Sequence, residues 1–398
     1  MSKLAVFDPE SETKVPFLRG MLTKSLQQAG LDFMSAYRVA TDIREELDDT
    51  DTVTTPELRQ RVLDVLIEEY PESVATRYQQ KANVLFAENL RVESGDGSLR
   101  PFSRGIHTQR LESCGLPKEK CTVITQRIHR SLAREKIKQI NTSELTARTY
   151  RAIEDEIDQQ AADYYLIWYD FLHNSYPLLL LIGGVPGSGK STIATEIANR
   201  LGIVRTQSTD MLREVMRIMI PEKLSPSLHT SSFKAGEVLQ RPEIYDDNEK
   251  DHLLYGFQRQ TEMVEVACEA VIRRAFNERV SMILEGVHIR PSLLNHINNL
   301  EAVVVPISLA VLDKQQLIRY IKGRSDVNKQ RRAQRYLESI DAIWQLQTTL
   351  LSEADNADIE IINNVELEDT IADAIKVIIQ TIAVIYRGKT KSLRMKYL

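Results

Sequence analysis

The chain has 398 residues, which is long enough for two or three domains of ordinary size. Its formal net charge of −5, with 27% charged and 42% hydrophobic residues, argues against a basic nucleic-acid-binding surface. No apolar run approaches the roughly 20 residues of a membrane-spanning helix, so we expect no membrane partner. Three cysteines without a C-x-x-C pair favour reduced thiols and a cytoplasmic location over a disulfide framework.

The N-terminal part of the chain contains an internal repeat. The segment PFLRGMLT at residues 16–23 recurs as PFSRGIHT at residues 101–108. Two copies of one small, mainly helical domain explain this pattern most simply. We assign copy one to residues 1–80 and copy two to residues 83–155.

Local signals predict the elements of these copies. In copy one, helical patterns with recognisable start and stop residues predict helices over Phe17–Ala29, Phe33–Leu47 and Thr55–Glu69. In copy two, the sequence SGDG predicts the turn of a hairpin over Leu90–Phe102. Apolar and aromatic residues at helical spacing then predict a connecting helix over residues 156–176.

The stretch that follows has the pattern of a phosphate-binding loop between a strand and a helix. The apolar run Leu178–Ile182 predicts a buried strand, and the motif Gly-x-x-x-x-Gly-Lys-Ser comes next. Its glycines allow several backbone N–H groups to point into one concavity, Lys190 can reach the β- and γ-phosphates, and Ser191 can ligate Mg²⁺. The predicted ATP-binding residues are Gly184, Gly187, Ser188, Gly189, Lys190, Ser191 and Thr192.

Five apolar runs separated by helical patterns predict a doubly wound parallel α/β sheet over residues 177–386. A short basic tail at residues 387–398 follows, either as a solvated end or as a contact for a polyanion. Ligands of such sheets bind beyond the carboxyl ends of the strands. The predicted strands are Leu178–Gly183, Val204–Ser208, Ser281–Glu285, Ala302–Val311 and Ile359–Ile362.

Two carboxylates and an arginine follow the strand ends. In this prediction, Asp210 caps the helix after the second strand. In a kinase, a carboxylate at this position also takes the proton from the acceptor hydroxyl, which is the group that receives the phosphate. Arg213, one turn later, suits an acceptor phosphate or carboxylate. Glu285 ends the third strand, where a carboxylate holds a Mg²⁺-bound water or contacts the acceptor, with a solvent-facing strand end as the alternative. Ser191 and Glu285 are therefore the predicted magnesium residues, and Asp210 and Arg213 are predicted to contact the acceptor. The predicted catalytic residues of this part of the site are Lys190, Asp210, Arg213 and Glu285.

An insert and a loop supply further acceptor candidates. The insert Leu224–Phe233 is rich in hydroxyls, and we predict acceptor contacts from His229, Ser231 and Ser232, with a plain flexible loop as the alternative. His288, on the loop after the third strand, lines the acceptor site or packs within that loop; both interpretations stay open. Asn363 and Asn364, after the fifth strand, are predicted to border the adenine.

Positive charge is concentrated between the fourth and fifth strands, from Arg319 to Arg335. Such a run is a solvated helix face or a mobile arginine lid that neutralises the moving phosphoryl group and excludes water. Gly323 offers a hinge. We favour the lid, with Arg324 and Arg331 as the predicted catalytic arginines.

The repeated pattern PF-x-RG-x-x-T resembles the ATP-cone domain, a nucleotide-sensing module found ahead of several enzymes. The resemblance implies a nucleotide effector at these domains. From the residues alone, Arg19 and Arg104 are also explained as helix-surface or capping residues of packing modules, and both interpretations stay open.

The second half resembles the 2-phosphoglycerate kinases. The motifs that carry the resemblance are IGG-x-x-G-x-GKSTIA at Ile182–Ala194, STD-x-x-RE-x-MR at Ser208–Arg217, LHTSS at Leu228–Ser232 and LEG-x-H-x-x-P at Leu284–Pro291. The resemblance implies transfer of phosphate from MgATP to the free hydroxyl of 2-phosphoglycerate, and so a small, anionic, phosphorylated substrate.

Other functions remain open at this point. One is a kinase of another phosphorylated polyol, such as an inositol phosphate, and another is a non-enzymatic ATP-sensing regulator. A polynucleotide kinase is disfavoured by the acidic balance of the chain. The sequence also leaves a homo-oligomer open.

Overall fold

A computed structural model describes the protein at residues 4–9, 13–47, 50–79, 90–173, 176–239, 249–297, 301–323 and 327–398, with only the backbone at residues 8, 13, 249–251 and 327–332. The chain forms two compact units. The first comprises Met1–Ser103 with Gln126–Leu145, and the second comprises Arg104–Thr125 with Thr146–Leu398.

The first unit contains a small three-stranded sheet near its N-terminus. In it, β1 (Ala5–Asp8) pairs antiparallel with β2 (Thr13–Pro16) and parallel with β3 (Thr52–Thr54). Thr54 and Glu57 form a capping box at the start of the third helix. The predicted helices of copy one are confirmed to within two residues; they are α1 (Arg19–Gln28), α2 (Phe33–Glu46) and α3 (Thr55–Glu69).

A second sheet of the same topology follows in this unit. Here β4 (Arg91–Glu93) pairs antiparallel with β5 (Leu99–Pro101) and parallel with β6 (Gln139–Asn141). The predicted hairpin turn is confirmed by hydrogen bonds from Ser94 N–H to the Ser98 carbonyl and from Gly97 N–H to the Ser94 carbonyl. The helices of this part of the chain are α4 (Arg104–Glu112), α5 (Lys118–Arg134) and α6 (Thr142–Glu156).

The second unit is built on a five-stranded parallel sheet. Its strand order is β8-β9-β7-β10-β11, and every adjacent pair is parallel. All side chains of β7 are buried, as expected for a central strand covered on both faces. The predicted strands are confirmed to within one residue: β7 (Leu178–Gly183), β8 (Arg205–Ser208), β9 (Met282–Gly286), β10 (Val303–Ala310) and β11 (Glu360–Asn363).

Helices cover this sheet, and its register places the strand ends together. Gly183 lies opposite Gly286 on one side and Ser308 on the other, while Ser208 lies opposite Glu285. Among the residues described, no helix is both long and apolar enough to span a membrane. The helices are α7 (Gln159–His173), α8 (Lys190–Leu201), α9 (Thr209–Met219), α10 (Glu249–Asn277), α11 (Pro291–Ile297), α12 (Lys314–Lys322), α13 (Val327–Glu338), α14 (Ile340–Asn356), α15 (Leu367–Ile385) and α16 (Thr390–Tyr397).

Most of the basic residues after position 387 lie in α16, which is anchored to α7. Arg394 Nε donates to Asp163 Oδ1 at 2.8 Å, and Lys396 Nζ donates to Asp170 Oδ1 at 2.9 Å. Asp170 is 3% exposed and also accepts from the hydroxyl of Tyr397 at 2.7 Å. Part of the positive charge at this end of the chain is therefore paired within the fold.

His107 on α4 is a buried histidine that should make the protein sensitive to acid. Its Nδ1 lies 3.0 Å from Thr125 Oγ1 and its Nε2 lies 3.1 Å from Thr149 Oγ1. Burial lowers its pKa to about 4. Between that pKa and the value of about 6.5 in an unfolded chain, only the unfolded chain takes up the proton, so stability falls as the pH falls through this window.

Replacing His107 by leucine, the residue that the repeat carries at Leu22, should remove this contribution. Between pH 7 and pH 5 we expect the loss in unfolding free energy to be about 2 kcal/mol smaller in His107→Leu than in the wild type. Urea unfolding at the two pH values measures this difference. An unchanged pH dependence in His107→Leu would refute the assignment.

Candidate active site

The Gly-rich segment between β7 and α8 forms a tight loop. Gly184 and Gly189 have φ values of 145° and 91°, which favour glycine. A Cβ at Gly184 would lie 2.5 Å from the Leu309 carbonyl oxygen, and one at Gly189 would collide with the amide of Asn364. The backbone can therefore curl only because these side chains are absent, and the loop ends at the N-terminus of α8, where the helix dipole favours an anion.

Two polar side chains within the loop fit a phosphate ligand. Lys190 is 9% exposed, and its Nζ donates to the Val185 carbonyl at 2.9 Å, so its charge lies along the loop. Ser188 is fully buried, and its Oγ has no hydrogen-bond partner within the described part of the chain. A buried hydroxyl is costly to leave unpaired, and a phosphate oxygen in the concavity would satisfy it.

Ser191 and Glu285 come together at the ends of α8 and β9. Ser191 Oγ donates to Glu285 Oε1 at 2.9 Å, and Glu285 is 6% exposed. A hydroxyl and a carboxylate supply the oxygen ligands that Mg²⁺ prefers. The two residues that the sequence assigns to the metal are thus neighbours, and their chemistry fits it.

Asp210 lies in the first turn of α9 and is not its cap. The strand ends at Ser208, whose Oγ accepts from Asp210 N–H at 3.2 Å, so the prediction that Asp210 caps the helix is wrong. Serine competes well for this position because its short hydroxyl reaches the first free N–H groups. The Asp210 carboxyl is left 62% exposed, with Oδ1 3.8 Å from Arg213 Nε.

The end of β9 presses against the start of α9. Gly286 has a φ of 155°, and a Cβ there would collide with the Thr209 side chain. Gly286 pairs with Gly183 of β7, the strand that enters the phosphate-binding loop. This close approach places Thr209 and Asp210 beside the strand ends from which that loop begins.

Arg213 holds the insert between α9 and α10. Its Nη1 donates to the Leu228 carbonyl at 3.1 Å and to the Thr230 carbonyl at 2.6 Å. Its Nε is buried and has no hydrogen-bond partner among the residues described. Arg213 thus fixes the backbone of the predicted acceptor insert, while its Nη2 donates to Glu214 Oε1 at 3.3 Å.

His288 is fully buried beneath this insert. Its Nδ1 lies 2.9 Å from Thr209 Oγ1 and its Nε2 lies 3.0 Å from Gln260 Oε1. Burial lowers its pKa to about 4; the charge of Asp210 opposes this shift, whereas those of Arg213 and Lys190 add to it. Three of the predicted catalytic side chains, Asp210, Arg213 and Lys190, therefore act electrostatically on one buried ring.

The other acceptor candidates are partly engaged by the protein itself. His229 Nε2 lies 2.8 Å from the Ile220 carbonyl, Ser232 is 5% exposed, and Ser231 precedes a short 3₁₀ helix. These assignments stay predictions. Arg290, two residues after His288, is paired with Glu353 through its Nε at 2.7 Å.

Asn363 and Asn364, which the sequence places beside the adenine, make contacts within the fold, and one further site residue, Gln260, emerges only from the structure. Asn364 Nδ2 donates to the Ser188 carbonyl at 2.9 Å, so it fastens the phosphate-binding loop. Asn363 Oδ1 accepts from Leu312 N–H. Gln260, in the middle of α10, is fully buried against the insert. The position after a strand end did point to Asn364, and its role beside the adenine stays a prediction. Gln260 lies within a helical pattern that carries no such signal.

The predicted lid region forms α12 and α13. Arg324 lies outside the described residues, and Arg331 is described only through its backbone in α13. Tyr336 of α13 packs edge to face on Phe233 of the insert, with ring centroids 5.7 Å apart. The lid assignment therefore stays a prediction, with the insert as its neighbour.

These features together define a P-loop kinase, which confirms the predicted fold class. They are the order of the parallel strands, the phosphate-binding loop, the Ser191–Glu285 pair and the acid after the second strand of the sheet. The chain belongs to the 2-phosphoglycerate kinase family. It is 35% identical to a 2-phosphoglycerate kinase of Thermococcus kodakarensis over 68% of this chain and 90% of that protein. The corresponding values are 37%, 71% and 84% for the enzyme of Methanopyrus kandleri, and 33%, 75% and 97% for that of Pyrococcus furiosus.

Other comparisons add less. No protein-family model matches the chain. Among solved structures, a gluconokinase from Sinorhizobium meliloti is similar over 53% of this chain and 97% of that one, with a TM-score of 0.31 and 13% identity.

Proposed function

We propose that the protein transfers the γ-phosphate of ATP to the free hydroxyl of 2-phosphoglycerate, giving 2,3-bisphosphoglycerate and ADP. The observation that carries the proposal is the placement of Asp210 and Arg213 beside the strand ends that bear the phosphate-binding loop and the Ser191–Glu285 pair. The names of the relatives support the choice of acceptor, because three of them are 2-phosphoglycerate kinases at 33–37% identity.

Each residue of the site has a distinct part in this reaction. The loop backbone, Ser188 and Lys190 bind the phosphates of ATP. Ser191 and Glu285 would hold Mg²⁺, which supplies positive charge against the phosphate oxygens. Asp210 accepts the proton of the acceptor hydroxyl while the hydroxyl oxygen attacks the γ-phosphorus. Arg213 would meet the anionic group of the acceptor through its Nε, which has no hydrogen-bond partner among the described residues and lies 3.8 Å from Asp210 Oδ1.

The lid and the N-terminal copies complete the proposal. Arg324 and Arg331 would neutralise the phosphoryl group during transfer when α12 and α13 close over the insert. A nucleotide effector at the two N-terminal copies, near Arg19 or Arg104, would tune that activity.

The decisive experiment separates isomeric and unrelated acceptors. The purified protein with ATP and Mg²⁺ is offered 2-phosphoglycerate, 3-phosphoglycerate, glycerate and an inositol phosphate, and the products are identified by ³¹P NMR. We expect 2,3-bisphosphoglycerate from 2-phosphoglycerate at the highest kcat/KM. Preferential turnover of an inositol phosphate, or tight ATP binding without transfer to any acceptor, would contradict the proposal.

A further inference from the structure

A buried hydrogen-bond chain links the insert to the start of α9. Gln260 of α10 is fully buried, and its Nε2 donates to the carbonyl oxygens of Ser227 and Thr230, the latter at 3.1 Å. Its Oε1 lies 3.0 Å from His288 Nε2. On the other side of the ring, His288 Nδ1 lies 2.9 Å from the hydroxyl of Thr209.

The chemistry of these groups allows only one assignment of donors and acceptors along these hydrogen bonds. Both carbonyl oxygens can only accept, so the Gln260 amide nitrogen faces them and its oxygen faces the ring. His288 Nε2 must then carry the hydrogen, and Nδ1 accepts from the Thr209 hydroxyl. Burial keeps the ring neutral at pH 7, because it lowers the pKa of His288 to about 4. Every member of the chain is thereby satisfied, a condition under which a buried polar network specifies one arrangement.

This series of hydrogen bonds fixes the insert relative to the start of α9. Thr209 directly precedes Asp210, and Ser227 and Thr230 lie in the insert that is predicted to contact the acceptor. Arg213 of α9 donates to the same Thr230 carbonyl at 2.6 Å. The insert is therefore clamped between α9 and α10 through its own backbone, and its position depends on the donors that hold these carbonyls.

We propose that Gln260 is a positioning residue that sets the affinity for the phosphate acceptor by holding the insert in register with Asp210. The proposal rests on the proposed function, because it takes the acceptor to bind between these two elements. Gln260 touches neither ATP nor the reacting atoms in this scheme. Its loss should therefore raise the KM for the acceptor and leave the KM for ATP within about twofold.

Gln260→Glu tests this with a change of nearly the same shape. The new carboxyl can still accept from His288, but when it is ionised it repels the two carbonyl oxygens. At pH 8 we expect the KM for 2-phosphoglycerate to rise at least about tenfold relative to the wild type. A change of this size corresponds to the loss of one hydrogen bond. Burial raises the pKa of such a carboxyl, so at pH 6 it regains a proton to donate and the ratio of the two KM values should fall.

Two further variants separate positioning from general damage. Gln260→Met keeps the length of the side chain but supplies no donor. Its KM for 2-phosphoglycerate, relative to that of the wild type, should therefore be raised equally at pH 6 and pH 8. Gln258→Glu changes an exposed residue of the same helix and should match the wild type at both pH values. A KM for ATP that rises in parallel with that for the acceptor in Gln260→Glu would overturn the proposal, as would an acceptor KM that does not change.

Hydrogen exchange gives a readout that does not depend on the acceptor. In Gln260→Glu, amides of residues 224–233 should exchange faster than in the wild type at pH 8 and approach the wild-type rate at pH 6, each compared at the same pH. If wild-type protein fails to phosphorylate 2-phosphoglycerate, the proposed function is wrong, and this exchange pattern still tests the clamp. Unaltered exchange over 224–233 would refute the clamp even in an active enzyme.

Discussion

Asp210→Asn should lower kcat by about 10²–10⁴-fold, because asparagine cannot accept the proton of the acceptor hydroxyl. The substitution keeps the shape of the side chain, and the helix cap is undisturbed because Ser208, not Asp210, provides it. Since the carboxyl is 62% exposed, its replacement should leave stability and the KM for ATP almost unchanged. Steady-state kinetics with ATP and 2-phosphoglycerate measure the effect.

Glu222→Gln is the matched control for this variant. Glu222 is an exposed acid that follows α9 and precedes the insert, so its neutralisation tests the change in local charge without removing the base. We expect wild-type kcat from it. Full turnover by Asp210→Asn would show that another group takes the proton.

Lys190→Met should reduce kcat/KM by about 10²–10³-fold through the loss of positive charge against the transferred phosphate. Methionine retains the apolar stem but cannot donate to the Val185 carbonyl, which Lys190 reaches at 2.9 Å. The variant should therefore also bind ATP more weakly. Isothermal titration with ATP and single-turnover kinetics separate the effect on binding from the effect on transfer.

Thermal unfolding shows whether Lys190→Met lowers the stability of the protein instead of acting on the reaction. Lys223→Met is the control for the removal of a lysine. Lys223 is exposed and lies beyond the end of α9. It should behave as the wild type. A Lys190→Met protein with normal kcat and normal ATP affinity would remove the phosphate-binding loop from the mechanism.

The sequence predicts the sheet and the phosphate-binding loop well because their signals are local. The five strands are short apolar runs set off by helical patterns, and each is found within one residue. The loop glycines are dictated by backbone geometry, as the collision of a Cβ at Gly184 with the Leu309 carbonyl shows. Ser191 and Glu285 could be paired in advance because both stand at defined ends of predicted elements.

The remainder of the site depends on contacts between distant segments. Gln260 lies 28 positions before His288, and nothing in the pattern of α10 marks it as a partner. Arg213 was predicted to face the acceptor, but its Nη1 is taken by two carbonyl oxygens of the insert, a contact that only the folded insert creates. The helix cap was misassigned because Ser208 and Asp210 are both good capping residues two positions apart.

The anchoring of α16 to α7 has a consequence for work with shortened forms of the protein. Proteolytic trimming of this helix would deprive Asp170 of Lys396 and Tyr397, and Asp163 of Arg394. The carboxylate of Asp170, which is almost inaccessible to water, would then lose its compensating cation. Truncated forms should consequently aggregate or unfold more readily, although the removed residues are distant in sequence from the phosphate-binding loop.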